Sequence, residues 1–497
     1  MLLLSCAAHP PVALAQEANP PPPSLFEQIE DRFPYLRFRG TLGYTLGADT
    51  QWEDTPEDRV QGWADAFFET RMDLTDHLLA VTSGRFQHYL WAGEETRTLY
   101  EADLVECFLD FTRGPFQLRV GQQITSWGKG DLFSPLDVLN PLDLRNSLDP
   151  TPDSLKIPVL MLKSGYEFGD WNLEGVYLPF FEPMRFNLFG SDFALLKHRF
   201  PELHFGGLLG AMEQLGWVRF PRLPSPDSLD PRFSQNLQDT LLATDYPPDD
   251  FLHGEYGLIL RGTWRNVDAE LAYYYGWDDL PVYRINPALA KALNSGTIDG
   301  QTLAELVRLV AAGDYDGILQ GGFHRLQVVG GGLSSAWRQF SFYAETALQY
   351  ERVFYDQDLR AFFSPALVSV VGGEYLHSEK LVVHLELFDN SLVGRRRQAL
   401  GMEPDTYGCV CYCTGSWLDQ SLTPELRLVY FINNRDWILN PRITYSFTDH
   451  LSATLGAAIF QGSGPVEIRT FLDLSRITPV SLLSENDWVD GKVQVAF

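Results

Sequence analysis

From Tyr35 onward the sequence repeats one unit: about ten residues of alternating apolar and polar side chains, a tight turn, and a second such stretch. Successive side chains of a strand point to opposite faces, so a period of two leaves one face oily and the other wet. Val267, Ala269, Leu271, Tyr273 and Tyr275 fall on one face, and Asp268 and Glu270 on the other. The preceding stretch sets Tyr256, Leu258, Leu260 and Trp264 against Glu255, Arg261 and Thr263, which leaves Arg265-Asn266 as the turn. Phe116, Leu118 and Val120 alternate with Gln117 and Arg119, and Leu381, Val383, Leu385 and Leu387 with His384 and Glu386. Phe340, Phe342 and Leu348 stand against Ser341, Glu345 and Gln349 in the same way.

A soluble sandwich alternates too, so the connections must decide. Short turns at 75–77, 114–115, 169–170, 378–380 and 448–450 interleave with long excursions at Ser126–Lys156, Phe181–Asp250, Leu280–Gly322 and Asp389–Trp417. Outer-membrane barrels have this asymmetry, with short periplasmic turns and long external loops. The 497 residues would suggest about three soluble domains, but large barrels are the exception to that rule. No apolar run approaches the ~18 residues of a spanning helix. The 33 Phe, 21 Tyr and 12 Trp supply the aromatic girdles that membrane barrels place at both interfaces. With 38 Lys+Arg against 65 Asp+Glu, the chain has no basic excess with which to track a nucleic acid.

The expected fold is therefore all-β: a transmembrane antiparallel barrel of about 16–18 strands, best counted as 18. In that count Thr423-Pro424-Glu425 is taken as a turn, since proline belongs at sheet edges or bulges and a closed barrel has no edge. Residues 1–15 end in Ala13-Leu14-Ala15 and read as a signal peptide, truncated in that it lacks a basic start; Leu3-Leu4-Ser5-Cys6 offers a lipoprotein box that would acylate Cys6 instead. Residues 16–34 form a periplasmic spacer with a short helix at Leu25 to Arg32, and 35–497 form the barrel. Val493, Val495 and Phe497 share one face of the final stretch, an aromatic-ended strand that resembles the insertion signal read by the barrel-assembly machinery.

The first long connection opens with Gly121-Gln122-Gln123-Ile124-Thr125-Ser126-Trp127-Gly128-Lys129-Gly130-Asp131 and continues through Asp137, Asn140-Pro141 and Asp143 to Lys156-Ile157-Pro158. This resembles a family of bacterial outer-membrane barrels of unassigned function that carry a "GRQ…WG…NP.D" segment, some encoded near hydrophobic-compound or lipid transport genes. It is similar, more loosely, to alginate-export-type porins. Gln122 stands where the family usually has Arg. The resemblance implies an outer-membrane transport role weighted towards lipid or hydrophobic cargo, and supplies no catalytic residues.

Read from the residues alone, Trp127, Lys129, Asp131, Asp137, Asn140 and Asp143 sit in a compact, proline-stopped loop that either folds into the barrel mouth as a constriction or packs outside on its neighbours. The wet face carries Arg37, Arg39, Glu106, Asp110, Arg119, Glu255, Arg261, Asp268, Glu270, Glu345, His384, Glu386 and Arg427. Charges of both signs on one interior suit a water-filled pathway; the alternative is a side-chain network that plugs it. Cys409, Cys411 and Cys413 lack the ligand count of a zinc site and are disulfide candidates in an oxidising compartment, while Cys107, on the oily face of Val105 and Leu109, reads as an apolar residue. Asp49, Glu53, Asp54, Glu57 and Asp58 lack the spacing of a calcium loop, and Arg395-Arg396-Arg397 reads as a solvated loop able to meet lipopolysaccharide phosphates. Neither a nucleophile elbow nor a phosphate loop nor an H-E-x-x-H occurs.

These features predict a non-enzymatic channel in the bacterial outer membrane, without cofactor or metal, passing small or amphipathic solutes. Its expected surroundings are membrane lipid and lipopolysaccharide; homo-oligomers are common for porins, though no residue here requires one. The competing expectations are a polysaccharide exporter, a lumen-plugged receptor and a lipid-modifying barrel enzyme.

Overall fold

The computed structural model describes residues 25–50, 60–92, 97–130, 133–145, 155–187, 193–194, 197, 204–205, 207–216, 245–295, 297–314, 317, 319–356, 360–377, 380–394, 405–468, 473, 476–484 and 486–497. Residues 1–24, Asp131, Glu53, Asp54, Glu57, Asp58 and Arg395 to Arg397 lie outside the described residues.

Eighteen strands form one antiparallel sheet. They are β1 (Leu36–Asp49), β2 (Val60–Thr75), β3 (Leu78–Ala92), β4 (Arg97–Arg113), β5 (Phe116–Gln123), β6 (Val159–Phe168), β7 (Trp171–Leu178), β8 (Glu255–Trp264) and β9 (Val267–Trp277). After a long connection follow β10 (Arg325–Trp337), β11 (Phe340–Tyr355), β12 (Ala361–His377), β13 (Leu381–Leu392), β14 (Asp405–Gly415), β15 (Leu422–Phe431), β16 (Asp436–Ser446), β17 (Leu451–Gln461) and β18 (Trp488–Ala496). Each strand pairs with the next, and β18 returns to β1 from Thr41↔Ala496 to Asp49↔Trp488, so the sheet closes on itself. At the seam Gly40 and Phe497 exchange backbone hydrogen bonds of 2.8 and 3.0 Å. The Phe497 ring lies where a Cβ on residue 40 would stand, 2.4 Å from its nearest ring atom, so only glycine fits there.

Closure satisfies the ladder without an edge, and the period-two pattern then sorts the side chains. Leu271 is 67% exposed on the outside, whereas its neighbour Glu270 is 3% exposed on the inside. Leu42, Tyr44 and Leu46 on β1, and Tyr256 and Leu258 on β8, are likewise exposed apolar residues of the outer face. That apolar outside, on a closed barrel, is the surface a bilayer requires. No helix among the described residues is long and apolar enough to cross a membrane. Helix α1 (Leu25–Arg32) precedes β1, and α2 (Gly207–Gln214), α3 (Pro287–Ser295) and α4 (Gly300–Ala312) lie in the long connections.

Three local expectations are corrected. Thr423-Pro424-Glu425 is not a turn: Pro424 lies inside β15 opposite Ile443, and the chain reverses at 418–421. Leu422 exchanges both backbone bonds with Trp417, so the backbone of residue 424 points the same way, and regular pairing with β14 begins only at Thr414↔Glu425. The missing N–H therefore falls at an interruption of the ladder. Pro365 is placed similarly, at the bulge between Gln349↔Ala366 and Arg352↔Ser364. Second, Asp389–Trp417 is not one excursion, since β13 runs to Leu392 and β14 restarts at Asp405. Third, Val105 does not share a simple face with Cys107 and Leu109. The register steps from Gly84↔Leu104 to Ser83↔Glu106, which leaves Val105 as a bulge.

Candidate functional site in the barrel lumen

The inner wall is a sequence of ion pairs. Near the short-turn end Arg37 meets Asp73 at 3.4 Å, and Arg39 and Arg71 bracket the buried Glu69 carboxylate at 2.6 and 2.7 Å. Asp110 is held by Arg119 at 2.6 Å and by Gln117, and the Arg119 guanidinium lies over the Phe108 ring. Arg261 sits between Glu174 at 3.6 Å and Glu270 at 3.5 Å, and Thr263 donates to Asp268 at 2.6 Å. The Tyr274 hydroxyl donates to Glu255 at 2.6 Å; the Tyr343 hydroxyl donates to Glu386 and lies 3.3 Å from Nε2 of His384. Arg427 stacks over the Tyr412 ring, and Glu106 accepts the Ile124 N–H at 3.4 Å. Pairing at this density is what lets charges face a confined interior, because an unpaired buried charge is costly.

Residues 124–130, 133–145 and 155–158 lie against this wall. Trp127 is 1% exposed, its ring packed over Gly257 and its Nε1 donating to Glu174 at 2.7 Å. Together with Leu136 and Leu139 it joins one apolar cluster with Met161, Ile259, Tyr274 and Val328 on the inner faces of β6, β8, β9 and β10. That packing explains why β6 reads Val159-Leu160-Met161-Leu162, apolar on both faces. Asn140 fixes the base of the loop: its Oδ1 accepts the Thr125 N–H at 2.8 Å, and its Nδ2 donates to the carbonyls of Ile157 and Gln123. Asp137 pairs with the buried Lys156 at 2.6 Å.

The tip reaches further round the barrel. Glu345 on β11 accepts the Lys129 and Gly130 N–H groups and the Ser134 hydroxyl, while the Phe133 ring stacks 4.3 Å from Phe388 of β13. Phe388 belongs to a second apolar cluster with Val410, Phe431, Phe460 and Trp488. Beyond the tip, Arg145 is clamped between Asp143 at 2.6 Å and Glu101 at 2.7 Å. Burial alone would make its charge harder to hold, but the two carboxylates raise its pKa above the ordinary arginine value.

Thus Trp127 and Lys129 come together with Glu174, Glu270 and Glu345 in one region, Asp137 and Asn140 stand at the base of the loop, and Asp143 lies apart with Arg145 and Glu101. Arg37, Arg39 and Arg427 lie elsewhere on the wall. Cys409, Cys411 and Cys413 are free and occupy alternate positions of β14, on the same side as the exposed Tyr407, so they face outward. For a disulfide within this segment the geometry is unfavourable, since residues two apart on a strand are about 6.7 Å apart with parallel Cβ directions. Among the described residues no group of three or more His, Cys, Asp or Glu could hold a metal ion.

Sequence reading missed Glu69, Lys163, Glu174 and Tyr343 on this wall. Glu69 and Glu174 were recoverable from strand parity, Glu174 being two residues from the inward Asn172; Lys163 was hidden by its doubly apolar strand.

Residues 59–351, more than half of the chain, match the model of the family described as protein of unknown function DUF1302. The chain belongs to this family. The DUF1302 region takes in the loop between β5 and β6 with its Glu174 and Glu345 contacts, and ends before His384, Glu386 and the β14 cysteines. No curated protein matches the chain. Among solved structures it is similar to OccAB3 of Acinetobacter baumannii, at 8% identity over 93% of this chain and 99% of that one with a TM-score of 0.44. OccK5 (OpdH) of Pseudomonas aeruginosa gives 10% over 93% and 96% with a TM-score of 0.43, and Salmonella typhi OmpF in complex with daunomycin 8% over 93% and 97% with 0.37. Identity at this level gives no residue-by-residue correspondence.

Proposed function

We propose that this protein is a channel of the bacterial outer membrane, passing small or amphipathic solutes through a lumen narrowed by the loop residues 124–130 and 133–145. The observation that carries the reading is the combination of a closed 18-strand wall, apolar outside and ion-paired inside, with a loop tied to that wall at both Trp127 and Glu345. A wide barrel has room for an aqueous pathway, and fixed charges of both signs orient a polar solute crossing it. A weighting towards cargo with an apolar part rests on the family resemblance alone. In this reading residues 1–15 are the export leader, 16–34 a periplasmic lead-in, and Val493, Val495 and Phe497 the signal for barrel assembly.

Single-channel recording of the purified, refolded protein in a planar bilayer tests it. Stable conductance with a reversal potential under a salt gradient is the expected result. A folded barrel that never conducts would reject the channel and leave the plugged receptor or enzyme.

A further inference from the structure

We propose that the short-turn end of the lumen holds a binding subsite for a small solute bearing both an ammonium group and a carboxylate, seated between Lys129 and the carboxylates of Glu167, Asp268 and Glu270. It refines the channel reading and rests on the same view of which face is the lumen.

An open pocket of about 350 Å³ lies on the inner wall where β7, β8 and β9 meet the turn 169–170, with Lys129 of the inserted loop at its margin. That volume is in the range of small-molecule sites. The pocket is already polar and already placed: Asn172 and Arg261 face each other across β7 and β8, and Arg261 faces Glu270 across β8 and β9.

Its charges are not satisfied internally. Glu270 is 3% exposed, turns one oxygen towards Arg261 at 3.5 Å, and has Oε1 enclosed beside Gly332 with no hydrogen-bond partner among the described residues. A rotation of that side chain towards the pocket would bring the oxygen to a donor seated there, which removes the cost of leaving it unpaired. Arg261 is shared with Glu174 at 3.6 Å and so cannot neutralise Glu270 alone. Among the described residues Asp268 engages only the Thr263 hydroxyl. Lys129 is pinned through its backbone N–H to Glu345, yet its ammonium has no ion pair among the described residues.

The chemistry of the occupant follows. Four carboxylates, those of Glu167, Asp170, Asp268 and Glu270, outnumber Lys129 and Arg261 in the pocket, which selects against a plain anion. A plain cation answers the carboxylates but leaves Lys129 unpaired and meets its repulsion. A solute with both charges satisfies both poles, and charge-assisted hydrogen bonds at each end fix its direction.

Calorimetric titration of the full-length protein in detergent micelles, at low salt, with 5-aminopentanoate, pentylammonium and pentanoate tests this without requiring conduction. The expected result is at least tenfold tighter binding of 5-aminopentanoate than of either singly charged probe. Lys129→Ala should abolish that preference while leaving pentylammonium binding equal or stronger, and Asp268→Asn should weaken both. Equal affinity of 5-aminopentanoate and pentylammonium, an unchanged preference in Lys129→Ala, or no binding of any probe would each overturn the subsite. A barrel that binds 5-aminopentanoate but never conducts would keep the subsite and remove the channel; one that conducts and binds nothing would do the reverse.

Discussion

Gly130 and Glu345 are joined across the lumen wall: the Gly130 N–H, on the connection between β5 and β6, donates to Oε1 of a carboxylate on β11 at 3.0 Å. The same carboxylate takes the Lys129 N–H and the Ser134 hydroxyl, so one side chain gathers three donors from the loop tip. A charged acceptor gains more from each donor than a neutral one.

Removing that acceptor should free the tip. Glu345→Ala takes that acceptor from the Lys129 and Gly130 N–H groups, at about 1–3 kcal/mol for each that stays buried, while the Ser134 hydroxyl keeps the Trp127 carbonyl at 3.4 Å. Larger mean conductance and greater open-channel noise are expected in single-channel traces, with Glu345→Gln intermediate because its carbonyl oxygen still accepts. Traces identical to the wild type would show that the tip is held by other contacts.

Asn140 should matter more for the base of the loop than its size suggests. Asn140→Ala strands one N–H and two carbonyls in a site 5% exposed, and Asn140→Asp keeps the acceptor but loses both donors. A loss of about 3 kcal/mol is expected for the alanine variant, read as a lower urea midpoint for unfolding from micelles.

Gly257→Ala tests the seat of Trp127. The added Cβ would stand 2.5 Å from the indole and 3.1 Å from Val176. Overpacking of this kind costs about 1–3 kcal/mol, and it should expose the tryptophan. Fluorine NMR of 5-fluorotryptophan-labelled protein, with Trp127→Phe to assign the resonance, should show that signal alone shifting towards solvent.

The β14 cysteines should behave as lipid-facing thiols. Cys409, Cys411 and Cys413 are expected to react with a membrane-soluble bimane and to resist a charged maleimide in intact vesicles. Non-reducing and reducing gels should give the same mobility. A mobility difference abolished by Cys411→Ser would point to a bridge.

Helix α4 should loosen in acid. The Thr302 backbone N–H, 2.8 Å from Asp299 Oδ1, holds that carboxyl below its usual value of 3.8. A depressed folded-state pKa contributes stability above the unfolded value and loses it as pH falls through the folded one. Hydrogen exchange at residues 300–303, corrected for intrinsic rates, should therefore be slow at neutral pH and faster well below the usual carboxyl range. Asp299→Asn should flatten that dependence.

The barrel was legible because its outside must be apolar at every other residue, and β8 and β9 meet that demand without exception. Strand parity likewise placed Glu255, Glu270 and Glu345 on the inside. It lost track where alternation is locally cancelled: at the Val105 bulge, at Pro424 inside β15, and in β6, where Met161 faces a packed loop rather than water. Glu345 was readable as an inward charge, but not as the acceptor for Lys129, Gly130 and Ser134, since contacts so distant in sequence depend on how a loop returns to the wall. The pocket beneath Lys129 was hidden for the same reason.

The pairing of Gly40 with Phe497 makes the hydrogen-bonded wall a ring, in which the seam between first and last strands is a ladder like every other. In such a ring the position of the chain ends is a matter of synthesis order rather than of the finished architecture. A circularly permuted chain, joined across this seam and opened at an outer loop, would therefore keep every rung of the wall.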